Sequence, residues 1–409
     1  MARFVTHLES AIDGTKFDAD KIQTLHEGRP LWVKYDLDAI GAAVDRDAFA
    51  TRENSMYRYR ELLPVGDEIE PVSLGEGNSP ILRCDRLGEQ FGLKNLFIKD
   101  ESQLPTGSFK SRGLSMAVTM AKHFGVKNLA IPTAGNAGGA TAAYAARAGM
   151  NAFVLMPDDT PIVNMMECVW SGAKVFLVDG LINDCGALVK QGKEAVGWFD
   201  LSTLKEPYRI EGKKTMGLEI AEQFNWKLPD VILYPTGGGT GLIGMWKAFH
   251  ELKKLGWLDS ENLPRMVSVQ SDGCCPISRA FDAGERFAEP FADAATTASG
   301  LRVPVACGDF MILDAVRESG GLAMAAAESR LYEWQCQATK AEGISLCPET
   351  AACIGALEQL VNEKWIKPDE KVVVFNTGAS QKYVSMTKPD LPRLDSQNPP
   401  DWQQLLADA

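Results

Sequence analysis

The stretch Pro105-Thr106-Gly107-Ser108-Phe109-Lys110-Ser111-Arg112-Gly113 places a lysine where it can do more than carry charge. A strand-like run, Asn95 to Lys99, precedes it and a helix-like run, Leu114 to Phe124, follows. Such a strand-to-helix turn leaves backbone N–H groups unpaired at the helix start, where anions bind well. Short neighbours, Gly107 and Ser108, allow the Lys110 amine to face a pocket and shed water. Desolvation lowers a lysine's pKa and frees the neutral, nucleophilic amine for Schiff-base chemistry. Taken alone, a lysine there reads as a solvated surface residue; three further turns argue otherwise.

After the strand-like Val231 to Tyr234 comes Pro235-Thr236-Gly237-Gly238-Gly239-Thr240-Gly241 and a helical run from Leu242. Glycines let the backbone turn its N–H groups inward to cradle a phosphate, helped by the helix dipole and the Thr240 hydroxyl. No Gly-Lys-Ser/Thr follows and dinucleotide spacing is absent, so neither nucleotide motif is present; a tight packing turn is the competing reading. Pro132-Thr133-Ala134-Gly135-Asn136-Ala137-Gly138-Gly139 offers open N–H groups to a carboxylate, and Asn136 can bond a phenolic oxygen or simply cap a helix. Lys371 to Phe375 ends in Asn376-Thr377-Gly378-Ala379-Ser380, where the Thr377 hydroxyl can meet a ring nitrogen. An imine-forming lysine, a phosphate cradle, a phenolate donor, a carboxylate nest and a hydroxyl for a ring nitrogen together match the groups of pyridoxal 5'-phosphate.

The elements that must position these turns alternate along the chain. Apolar runs Asn95 to Lys99, Asn128 to Pro132, Ala152 to Met156, Lys174 to Val178, Val231 to Tyr234, Met266 to Gln270 and Lys371 to Phe375 read as strands. Between them Leu114 to Phe124, Gly138 to Ala148, Asn183 to Glu194, Thr215 to Phe224, Leu242 to Leu255 and Thr350 to Leu360 read as helices. This predicts an α/β fold of parallel strands, with ligands at their carboxyl ends, where the motifs fall. Leu31 to Tyr35 reads as a short strand, Met56 to Leu63 as a helical turn, and residues 283 to 311 as loop.

With 409 residues the chain should form two lobes. A net charge of -12 argues against nucleic acid or anionic membrane as partner. No apolar run is long enough to span a bilayer and the start lacks a signal-peptide core, so a cytoplasmic protein is expected. Nine scattered cysteines fit free thiols, Cys274 and Cys275 in packing or a turn, and four histidines without ligand spacing predict no metal site.

The joint pattern resembles the type II pyridoxal-phosphate enzymes, the family of the tryptophan synthase β-subunit, over residues 57 to 388. The resemblance implies two open parallel-sheet lobes with helices on both faces and the cofactor in the cleft between them. It divides the chain into an extension (1–75) packed on the body, a large cofactor lobe (76–115 with 210–388), a smaller lobe (116–209) and a surface tail (389–409). It makes Lys110 the Schiff-base lysine, Gly237, Gly238, Gly239 and Thr240 the phosphate loop, Asn136 the partner of the ring hydroxyl and Thr377 of the ring nitrogen. Thr133, Ala134, Gly135 and Ala137 take the carboxylate of an amino-acid substrate. Glu349 falls where relatives put a cofactor-facing carboxyl, or is a helix N-terminal acid. A homodimer is the expected assembly.

Within that family the threonine synthase branch is similar at Tyr57 to Pro64, Gly75 to Pro80, Pro105 to Lys110 and Arg209 to Thr215. It implies conversion of O-phospho-L-homoserine and water to L-threonine and phosphate, with a second anion site among Lys99, Arg112, Lys205, Arg209, Lys213 and Lys214, which read as surface residues. Ser111, Ala137 and Gly378-Ala379-Ser380-Gln381-Lys382 depart from that branch, and Ser10 to Asp13 with His26-Glu27 stand where some relatives carry zinc knuckles. The alternative is an amino-acid ammonia-lyase, a serine or threonine dehydratase-like β-elimination that needs no second anion site; a cofactor-binding homologue without turnover is the third reading.

Overall fold

Strands covered on both faces need apolar residues at successive positions, and Val231–Pro235 is buried throughout while Lys371–Asn376 is buried after its first residue. The structure is a computed structural model that describes residues 3–386 with Leu391, Arg393, Leu394, Gln397 and Gln403. Apart from those five exposed positions, the expected tail lies outside the described residues.

The chain opens with Val5–Ser10 (β1), Lys16–Phe17 (β2) and Leu31–Tyr35 (β3), an antiparallel sheet of order β2-β1-β3. Ile81–Arg83 (β4) and Asn95–Asp100 (β5) begin a second sheet. Asn128–Pro132 (β6), Asn151–Pro157 (β7), Lys174–Val178 (β8) and Phe199–Asp200 (β9) form a third, all parallel, of order β8-β7-β6-β9. Val231–Pro235 (β10), Arg265–Ser271 (β11), Leu322–Ala326 (β12) and Lys371–Asn376 (β13) complete the second, of order β12-β11-β10-β13-β5-β4. Only β4 runs antiparallel in it.

Two consequences position the site. First, β5, β13 and β10 are adjacent and parallel, so the turns after Asp100, Asn376 and Pro235 emerge at one edge. Second, the turn carrying Lys110 is stitched to the one carrying Thr377: Phe109 N–H donates to Thr377 O (3.1 Å) and Ala379 N–H to Gly107 O (2.9 Å). The loop after β6 supplies Thr133 to Ala137 from the other sheet.

The predicted strands all form, but two helices start earlier than their apolar pattern. One begins at Lys110 rather than Leu114, and another at Tyr208 rather than Thr215. The second is led by Glu206, whose carboxylate accepts from the N–H groups of Tyr208 and Arg209; its charged early residues are buried, which hid its periodicity. Among the described residues no helix is long and apolar enough to cross a membrane.

Candidate active site

One cleft is lined by Lys110, by Thr133, Ala134, Gly135, Asn136 and Ala137, by Gly237, Gly238, Gly239 and Thr240, and by Thr377. The residues expected to hold the cofactor and the substrate carboxylate therefore share one place, and the second-anion candidates do not line it. Its free volume is ≈ 90 Å³. A larger cavity, ≈ 590 Å³, lies by Arg52, Tyr57 and Arg60 and holds none of them; convergent polar groups mark a site better than volume.

Lys110 is the first residue of its helix, is half-buried and lines the cleft. Its ammonium lies 4.2 Å from the centre of the Phe109 ring. Burial, reinforced by the charge of Arg209 and opposed by Glu349, lowers its pKa to about 7. Near neutral pH a large share of this amine is unprotonated.

The Gly237 to Gly239 turn has no room for side chains. A Cβ on Gly237 would stand 2.3 Å from Gly300 O, and one on Gly238 2.6 Å from Thr203 Cγ2. Gly239, at φ 75°, is the N-cap of the Thr240–Lys254 helix, so bare N–H groups face the cleft at a helix start. A phosphate suits such a cradle. Asn136 does not cap its helix: Gly135 stands at the cap position, the Asn136 Nδ2 donates to Tyr383 OH (3.3 Å), and its buried Oδ1 has no partner. A ligand hydroxyl answers that vacant acceptor. The Thr377 hydroxyl lies 3.7 Å from Cys347 Sγ, and the Thr377 N–H donates to Thr350 Oγ1 (3.2 Å).

Glu349 stands in the first turn of Pro348–Asn362 and also lines the cleft. Its Oε1 accepts from Tyr383 OH (2.7 Å) and Gly300 N–H (2.8 Å), while the buried Oε2 has no partner. Sequence reasoning missed Tyr383, which carries no motif, and Arg302, which lines the cleft while holding Asp159 through two bonds of 2.7 and 2.8 Å.

The second-anion candidates require correction: Lys99, Arg112, Arg209, Lys213 and Lys214 are buried, not at the surface. Arg112 pairs with Glu101 (2.6 Å) and Glu219 (2.7 Å), Lys99 with Glu219 (2.8 Å), and Lys214 with Glu211 (2.7 Å). Lys205 pairs with Asp200 (3.2 Å), and Lys213 bonds Phe109 O. Arg209 bonds Leu201 O through Nη1 (2.7 Å), but its Nε and Nη2 have no partner. This buried guanidinium sits among the charges of Glu206 and Asp200 and is not among the residues that line the cleft.

Cys274 is fully buried with its thiol pushed up to about 11, in keeping with packing.

The sequence profile of the pyridoxal-phosphate-dependent enzymes matches residues 72–378. The threonine synthase of Methanocaldococcus jannaschii is 35% identical over 371 residues, covering 90% of this chain and 91% of that protein. The threonine synthase of Methanosarcina acetivorans is 37% identical over 347 residues, covering 85% and 84%. Among solved structures, diaminopropionate ammonia lyase of Escherichia coli superposes with a TM-score of 0.66 at 19% identity, covering 77% of this chain and 87% of that one. Threonine deaminase isoform 2 of Solanum lycopersicum gives 0.63 at 18%, covering 76% and 84%. At such identities these two carry the fold alone, that of the type II enzymes.

Proposed function

The chain belongs to the pyridoxal-phosphate-dependent enzyme family, and from that premise we propose that this lyase is threonine synthase-like, converting O-phospho-L-homoserine and water to L-threonine and phosphate. The observation that carries the reading is the 35% and 37% identity to two threonine synthases over most of the chain; Arg209, buried with Nε and Nη2 unbonded but outside the cleft lining, is the candidate for the substrate phosphate. Its charge also helps to lower the pKa of Lys110, so the two lie within electrostatic reach.

The bound cofactor supplies an electron sink for charge developing on the substrate α-carbon. Lys110 would hold the cofactor through its amine, and its Nζ would be the base that accepts the substrate α-proton. The N–H groups of Gly237, Gly238 and Gly239 with the Thr240 hydroxyl hold the cofactor phosphate, and Asn136 the ring hydroxyl. Thr377 would offer the ring nitrogen a hydroxyl rather than a carboxylate. Thr133, Ala134, Gly135 and Ala137 orient the substrate carboxylate at the start of the Asn136–Ala148 helix. The lobes we propose are 76–115 with 210–388, and 116–209, with 1–75 packed on them; a cytoplasmic location belongs to the same reading.

Ala137 favours a second reading, an ammonia-lyase acting on serine, threonine or a related amino acid, because it lacks a hydroxyl for a substrate phosphate. Phosphate release from O-phosphohomoserine, set against oxo-acid and ammonia release from threonine, serine and diaminopropionate, separates the two. For Lys110→Ala the visible cofactor band is expected to disappear with turnover while circular dichroism is unchanged; full turnover by that variant discards the assignment.

A further inference from the structure

Among the described residues that line the cleft, the only cation besides Lys110 is Arg302. Arg209 is held outside that lining. Arg302 is also firmly placed. It follows the short turn Ser299–Leu301, whose Leu301 is buried and whose Gly300 N–H donates to Glu349 Oε1 (2.8 Å). Gly300 O crowds Gly237, and Ser299 Oγ lies 3.6 Å from where a Cβ on Gly135 would stand. The turn that carries Arg302 is thus wedged between the glycine cradle and the loop expected to take the substrate carboxylate.

The present partner of Arg302 is replaceable. Nη1 and Nη2 donate to the two oxygens of Asp159 (2.7 and 2.8 Å), the same fork by which a guanidinium takes a phosphate. The Arg302 side chain is 16% exposed and that of Asp159 54%. A pair with so exposed a partner contributes less than about 1 kcal/mol, whereas a phosphate brings close to two negative charges to the fork. We propose that Arg302 is a specificity-determining residue: it exchanges Asp159 for an anionic group at the far end of the substrate side chain, and so selects phosphorylated amino acids over their unphosphorylated parents. This rests on the reading above for the cofactor and the amino-acid substrate, and adds the residue that meets the phosphate. Serine or threonine, neutral at that end, leaves Arg302 with Asp159 and gains nothing from it.

The shift of the holoenzyme's cofactor band on binding, titrated by stopped flow before turnover, tests this with O-phosphoserine against serine and O-phosphohomoserine against homoserine. The native protein is expected to bind each phosphorylated member about tenfold tighter or more, as suits hydrogen bonds between charged groups. Arg302→Gln should abolish most of that preference. Asp159→Asn removes the competing carboxylate and should raise it, which decides the matter if Arg302→Gln misfolds; a merely structural tie predicts weaker binding of both members instead. Equal binding of the two members by the native protein, a preference that survives Arg302→Gln, whether or not Arg209→Gln removes it, or an Asp159→Asn variant that weakens both members alike each overturn the proposal. Should the preference hold while O-phosphohomoserine releases no phosphate, the threonine synthase-like reading fails and the role of Arg302 stands.

Discussion

Lys110 stands between a cation that discourages its proton and a carboxylate that favours it, and burial decides for the neutral amine. Because its pKa is about 7, cofactor attachment to the cofactor-free protein should accelerate as pH rises through that value rather than near the ordinary 10.5. The rate at which the cofactor band appears, followed against pH, checks this. Arg209→Gln removes a charge that lowers the pKa, so its midpoint should move upward, and phosphate release should fall with it. Gly239→Ala forces a side chain onto φ 75° with its Cβ 2.3 Å from Ile312 Cδ1. It is expected to cost more than about 1 kcal/mol and to weaken cofactor binding, read by thermal melting with and without cofactor. At this scale the residues that share the cleft were largely legible, because glycine-rich turns and a lysine at strand ends announce themselves locally. Tyr383 and Arg302 were not, since their place in the cleft depends on tertiary contacts that no local spacing encodes.

The Lys110–His123 and Tyr208–Gln223 helices pack on each other around a buried ionic cluster, Arg112 and Lys99 against Glu101 and Glu219. Burial works against the Glu219 carboxylate, but Arg112 and Lys99 prevail and hold its pKa down to about 2. Its contribution is complete above the ordinary 4.5 and is lost as pH falls from there towards 2, which acid denaturation followed by circular dichroism checks. Arg112→Met leaves two buried carboxylates undercompensated and should cost about 3–5 kcal/mol in urea unfolding. Those buried charges explain why the Tyr208 helix was foreseen only from Thr215: its inward face is not apolar. The main parallel strands were easier, because β10 and β13 are apolar on both faces. The first two strands were missed; β1, Val-Thr-His-Leu-Glu-Ser, alternates too weakly in polarity to declare itself.

At the scale of the molecule, the cleft is crossed by polar ties. Arg302 holds Asp159, Lys382 holds Glu167 (2.8 Å), and Asn136 reaches Tyr383. The free space of ≈ 90 Å³ is below the few hundred Å³ usual for a small-molecule site, and parting these ties would widen it. Arg302→Ala should speed cofactor entry, measured by stopped flow, while changing stability by less than about 1 kcal/mol, since Asp159 is exposed. The order β10-β13-β5 has a consequence for biosynthesis. Among the described residues the last strand to leave the ribosome, β13, fills the gap between two made long before it, and the segment that follows closes over Gly107 and Ser108. A nascent chain is thus without a finished floor to the cleft until Lys371–Asn376 has been translated, and a product that stops short of Lys371 is left with its main sheet split in two.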